Sequence, residues 1–155
     1  MLQKTGIPTS EDLKTITPSD ERFALGPVVI VECFQEIPCN PCVDACKPGA
    51  ITKPNDINEL PVIDFDKCNG CGICIKECPG LAIFVVDKTY SETHAIVQLP
   101  YEFLPIPEKG SFVKAIKNRA LPSFWARKSL LREYTFTLTK TQSIRGCLLS
   151  GNPFH

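Results

Sequence analysis

The chain has 155 residues, nine of them cysteine and fourteen proline, and a formal net charge of zero. That length suits one small domain with extensions, and so much cysteine narrows the chemistry to disulfides, zinc or iron–sulfur clusters. The longest apolar runs, PVVIV and AIFVV, are far too short to cross a membrane. The opening MLQKTGIPTSEDLKTITPSD lacks the apolar stretch of a secretory signal, so a cytoplasmic setting with reduced thiols is expected.

Residues 1–26 are polar, with Pro8 and Pro18, and read as an extended arm or short helix packed on a partner. PVVIVECF (27–34) is a β-branched run of strand length. A first cysteine cluster follows at 33–46. AIT (50–52) reads as a short strand, KPNDINEL (53–60) as turn, and PVIDFD (61–66) as a strand that delivers the chain to Cys68. The second cluster occupies 68–78, and LAIFVVD (81–87) is another strand. HAIVQLPYEFLPI (94–106) suggests two strands broken at Pro100. FVKAIKNR (112–119) has a helical pattern, and YTFTLTKT (134–141) alternates like an exposed strand.

The neutral total hides an asymmetry. Residues 1–113 carry 9 Lys and Arg against 16 Asp and Glu, a net −7, whereas residues 114–155 carry 8 against one, a net +7. The expected organisation is an arm at 1–26, a cysteine domain with a short β extension at 27–113, and a basic tail at 114–155.

The second cluster, CNGCGICIKECPG, places Cys68, Cys71, Cys74 and Cys78 at spacings of two, two and three residues, followed by Pro79. Three thiolates in one tight loop can wrap one side of a compact iron–sulfur cube. Gly70 and Gly72 let the backbone approach so that its N–H groups face the sulfurs. Zinc favours two separated Cys-x2-Cys pairs and fits this run poorly.

The first cluster repeats this unit with a difference. CNPCVDACKPGAI (39–51) aligns with CGICIKECPGLAI (71–83), matching Cys39, Cys42 and Cys46 to Cys71, Cys74 and Cys78. The position matching Cys68 is Glu36, and the next cysteine upstream is Cys33. Three readings follow. Cys33 folds back and completes a [4Fe–4S] cluster, three cysteines hold a [3Fe–4S] cluster or one with an open iron, or Glu36 supplies an oxygen ligand. The first is favoured, because thiolates are the usual ligands and Pro38 and Pro41 stiffen the loop. Against it stands the plain role of a buried strand cysteine for Cys33.

These motifs resemble those of bacterial-type dicluster ferredoxins over about Val28 to Asp87. The resemblance implies a pseudo-twofold ferredoxin-like α+β fold and one-electron transfer by two [4Fe–4S] clusters. With the fourth ligands crossed, Cys33, Cys39, Cys42 and Cys78 would hold one cluster, and Cys68, Cys71, Cys74 and Cys46 the other. More narrowly, VECFQEIPCNPC with LPYEFLPIPEKG (99–110) is similar to ferredoxin-type subunits of FAD-dependent, proline-type amino-acid dehydrogenase complexes. That implies a hetero-oligomer in which a flavin-bearing partner performs any catalysis. The resemblance stops after about Val113, and nothing of the family is carried into residues 114–155.

The chain has no Gly-x-Gly-x-x-Gly and no phosphate-binding loop, so no nucleotide or flavin is expected on it. The leading expectation is therefore a non-catalytic electron carrier. Its acidic segment could depress cluster potentials or steer a basic partner. A nucleic-acid-binding reading rests only on the basic tail with Phe124, Trp125 and Arg127, and a zinc-bound interaction module is the third class. Cys147, His94 and His155 receive no role.

Overall fold

The computed structural model describes residues 8–101, 104–115, 124–128 and 135–139. Two short helices come first, α1 (Ser10–Ile16) and α2 (Asp20–Ala24). At the start of α1 the Asp12 N–H donates to Thr9 Oγ1 at 3.2 Å, and the Thr9 N–H donates to Asp12 Oδ2 at 2.7 Å. This reciprocal box satisfies donors that the first helical turn leaves open. Ser19 caps α2 by accepting the Arg22 N–H. The polar leading segment thus buries two anchors, Leu13 and Phe23.

Strand β1 (Val28–Val31) is buried at all four positions. Successive side chains point to opposite faces. Val28 and Ile30 join a core with Phe23, Val86, Ala95 and Val97. Val29 and Val31 join a second core with Ile51, Ile75, Ile83 and Val85, against the thiols of Cys42 and Cys74. A strand covered on both faces needs an unbroken apolar run, which VVIV supplies. Each fully buried Val or Ile contributes roughly 1.5–3 kcal/mol relative to exposure.

The next elements are α3 (Pro41–Asp44), β2 (Ile51–Thr52), β3 (Val62–Ile63), α4 (Ile73–Glu77), β4 (Ile83–Asp87) and β5 (His94–Gln98). Pro41 opens α3, where its missing N–H costs nothing. Cys78 leaves α4 with ψ 108°, the extended conformation that a residue before proline prefers. Strand β1 pairs antiparallel with β4, from Val28 against Val86 to Val31 against Ile83, and β2 pairs antiparallel with β3. Helices α3 and α4 pack together. The domain is α+β, with α3, α4 and the cysteine loops against one face of β1 and Phe23 of α2 against the other.

The sheet continues beyond the cysteine region. Strands β6 (Phe112–Ala115), β7 (Phe124–Lys128) and β8 (Thr135–Thr139) extend it in the order β1-β4-β5-β8-β7-β6. Two expectations change here. Residues 112–115 form a strand, not the start of a helix, because β7 supplies backbone partners from Phe112 against Arg127 to Ala115 against Phe124; residues 116–119 lie outside the described residues. A four-residue apolar pattern does not distinguish the two conformations, and the partner strand decides. Residues 94–106 yield one strand, β5, since Tyr101 and residues 104–106 are not in a strand; residues 102 and 103 lie outside the described residues. Pro100, Pro105 and Pro107 each remove a ladder donor. The strand expected at 134–141 is β8, which pairs on both sides, with β5 and β7.

Candidate metal centre

The cysteine loops begin where strands end. Cys33 lies two residues beyond β1, Cys42 lies in α3, Cys74 lies in α4, and Cys46 and Cys78 follow those helices. Cys42 and Cys74 are buried, and Cys71 is exposed.

A cavity opens between the loops, and its wall includes Cys46, Cys68, Cys71 and Cys74 together with Val29, Ile51 and Val85. Thus the structure brings Cys46, from the first repeat unit, to the three leading cysteines of the second. Burial pushes the Cys74 thiol up to about 12, and the neighbouring charges of Cys71, Cys68 and Cys46 add to the effect. The remaining four cysteines behave as a second set. Burial raises the Cys42 thiol, with the charges of Cys78, Cys39 and Cys33 adding to it. Cys33 is also raised by burial; the Gln35 backbone opposes this, Cys78 adds to it, Lys53 opposes it and Cys39 adds to it. Cys74 thus responds to Cys46, Cys68 and Cys71, whereas Cys33 and Cys42 respond to Cys39 and Cys78.

Cys33 is half-buried, whereas Glu36 is exposed. Cys33 lies within electrostatic range of Cys39, Cys42 and Cys78. Glu32, beside it, has a buried Oε1 with no hydrogen-bond partner, and burial pushes its carboxyl up to about 8.

Backbone N–H groups aim at the sulfurs. Cys68 Sγ accepts from Val29 N–H at 3.4 Å and from Gly70 N–H at 3.5 Å. Cys46 Sγ accepts from Ala50 N–H at 3.2 Å, and Cys78 Sγ from Ala82 N–H at 3.4 Å. The last two bonds occupy matching positions of the repeat, four residues beyond each cysteine. Gly70 explains its own requirement: φ is +65°, and a Cβ there would stand 2.5 Å from Pro27 Cβ and 2.7 Å from the Pro27 carbonyl oxygen. At Gly72 a Cβ would stand 2.8 Å from Gln98 Oε1. Both glycines let the loop lie against the sheet.

Several thiols crowded together, with N–H groups already directed at sulfur, fit an iron–sulfur cluster. Ionising such a set is unfavourable by itself, as the raised thiols show, and a cationic core removes that penalty. A zinc ion would need four sulfurs about 2.3 Å from one point. Among the described residues no three His, Cys, Asp or Glu side chains meet in this way.

Two cations also contact the loops. Arg22 in α2 donates through Nε to the Phe65 carbonyl at 2.6 Å and through its terminal nitrogens to the carbonyls of Gly26, Pro27 and Cys68. Lys53 Nζ donates to the carbonyls of Cys39 and Ile57. Neither motif spacing nor periodicity marks them, since a carbonyl partner leaves no side-chain signature. Phe124, Trp125 and Arg127 lie in β7, whereas Cys147 and His155 lie outside the described residues.

Among the described residues no helix is long and apolar enough to cross a membrane. Residues 61–84 match the 4Fe-4S binding domain model. Over 68 residues the chain is 35% identical to the ferredoxin-type protein NapF of Haemophilus influenzae, covering 41% of this chain and 39% of that protein. Over 47 residues it is 45% identical to the pyruvate synthase subunit PorD of Methanothermobacter marburgensis, covering 30% of this chain and 51% of that one. The ferredoxin-type protein NapF of Escherichia coli K12 is 33% identical over 66 residues, with 41% and 39% covered. The chain thus spans two-fifths to half the length of these relatives. No solved structure matches it. The chain carries a ferredoxin-type 4Fe–4S binding domain, an iron–sulfur module of electron transport, with its matched core at residues 61–84.

Proposed function

We propose that the chain is a one-electron carrier with two [4Fe–4S] clusters in a pseudo-twofold domain at about residues 27–113. Cys46, Cys68, Cys71 and Cys74 would hold one cluster, and Cys33, Cys39, Cys42 and Cys78 the other. The observation that carries this reading is the cavity that brings Cys46 to Cys68, Cys71 and Cys74, and the influence of Cys33, Cys39 and Cys78 on the Cys42 thiol supports the second set. A bound cluster supplies reversible one-electron chemistry. The chain's own residues fix the sulfurs, direct N–H groups at them and exclude water through Val29, Ile51, Ile75 and Val85.

The carrier is proposed to work as a subunit of an oxidoreductase complex, with any substrate chemistry on a partner. A flavin-bearing dehydrogenase is the partner that the sequence resemblance implies. The named relatives are a ferredoxin-type protein and a pyruvate synthase subunit, so the flavin partner rests on that resemblance alone. A cytoplasmic location belongs to the same proposal.

Anaerobically reconstituted protein should contain about eight iron and eight sulfide per chain and absorb broadly in the near-ultraviolet and visible. About four of each would sink the two-cluster reading. Stoichiometric zinc with no visible absorption would replace it with a zinc module. Co-purification of the tagged chain with a flavoprotein would support the narrower partner, and co-purification with a flavin-free oxidoreductase would overturn it.

A further inference from the structure

Arg22 lies outside both cysteine loops, yet it is bonded to one of them. Its guanidinium binds carbonyls from two segments: Phe65 and Cys68 at the entrance to the second loop, and Gly26 and Pro27 at the turn into β1. Those segments carry the two donors that face Cys68 Sγ or support them. Val29 N–H belongs to β1, and Gly70, whose N–H is the other donor, rests against Pro27. The guanidinium therefore holds the hydrogen-bond shell of one sulfur.

Its hydrogen-bond partners are neutral. Four carbonyls occupy the group, and no carboxylate among the described residues lies within ion-pair distance of it. Asp66 lines the same groove without pairing with it. The other set is poised differently. Lys53 reaches the Cys39 carbonyl, but Asp56 lies within its electrostatic range. A fixed cation favours the more negative, reduced state of a neighbouring redox centre, and so do N–H bonds to its sulfurs.

We propose that Arg22 is a positioning residue that raises the reduction potential of the cluster held by Cys46, Cys68, Cys71 and Cys74 above that of its neighbour, making that cluster the electron-accepting end of the chain. This rests on the two-cluster reading. Its electrons and charges balance simply: one electron leaves the Cys33, Cys39, Cys42 and Cys78 cluster as one enters the other, with no bond made or broken.

The test compares wild-type, R22Q and R22K proteins, each reconstituted anaerobically and titrated potentiometrically with the reduced clusters followed by electron paramagnetic resonance. Wild-type protein with fewer than about eight iron atoms would sink the underlying reading and not this one. With both clusters present, R22Q should shift one potential downward by a factor of about ten in the reduction equilibrium, or ~59 mV for one electron, and leave the other unchanged. R22K keeps the charge and loses the fork, so it should recover at least half of that shift. Unchanged potentials in R22Q, equal shifts of both clusters, or an R22K shift as large as that of R22Q would overturn the proposal. If R22Q takes up only one cluster, R22K decides: a shift of less than about threefold supports the proposal, and a tenfold fall overturns it.

Discussion

The two cysteine units reach similar arrangements by different local routes. In the second, Cys68, Cys71 and Cys74 come from one short loop whose glycine lies against Pro27. In the first, Cys33 comes from beyond the end of β1, and a stretch containing Glu36 and Pro38 separates it from Cys39. What the units share is the exit from the site. Ala50 and Ala82 donate to Cys46 and Cys78, and Gly49 and Leu81 N–H donate to the carbonyls of the same two cysteines. Ile51 and Ile83 then enter the core, each about 1% exposed. The equivalence lies in backbone geometry after the last cysteine, while the entry can change as long as a thiol arrives.

Removing a buried ligand should break this likeness most severely. Cys74→Ala deletes the central thiol of one set and opens a hole beside Ile75 and Val85. Iron should fall from about eight to about four per chain, and the remaining signal should be that of a single cluster. Retention of about eight iron atoms would remove Cys74 from the ligand set.

The entry residues provide a finer comparison. Cys33→Ala should lower iron by one to four atoms, the smaller loss accompanying conversion to a [3Fe–4S] cluster with its own paramagnetic signal when oxidised. Glu36→Ala, at an exposed position, should leave iron and spectra unchanged. The reverse pattern would make Glu36 the ligand and Cys33 a core residue.

The second loop was legible because its chemistry is local: three spacings and a proline define it without any knowledge of the fold. The strands around the loops were legible for a related reason, since VVIV and IFVVD are short apolar runs closed by turn residues. The place of β6 in the sheet was not, because it depends on β7 and thus on partners nine to fifteen residues farther along. Arg22 was hidden for the same reason. Its partners are backbone carbonyls up to 46 residues away, which no side-chain pattern records. The repeat also carried one misleading cue. Pro-Gly occurs in both units, but it is displaced by one residue relative to the cysteines, so Gly49 matches Leu81 and not Gly80.

That displacement leads to the smallest expected effects. Gly70 and Gly49 have nearly the same φ, +65° and +67°, but opposite surroundings. At Gly70 an added Cβ meets the Pro27 backbone, which belongs to the turn into β1 and cannot easily withdraw. Gly70→Ala should therefore cost about 2–4 kcal/mol, combining the left-handed strain with overpacking, and should slow iron uptake. At Gly49 nothing lies within 4 Å of the added carbon, so only the strain of a left-handed residue remains. The other unit already bears this strain, since Leu81 holds φ +52° at the matching place and donates the matching hydrogen bond. Gly49→Ala should accordingly cost about 1 kcal/mol in anaerobic guanidinium unfolding, with iron content unchanged. A cost at Gly49 equal to that at Gly70 would mean that the first loop is packed as tightly as the second, and the contrast between the two units would then be confined to how Cys33 enters.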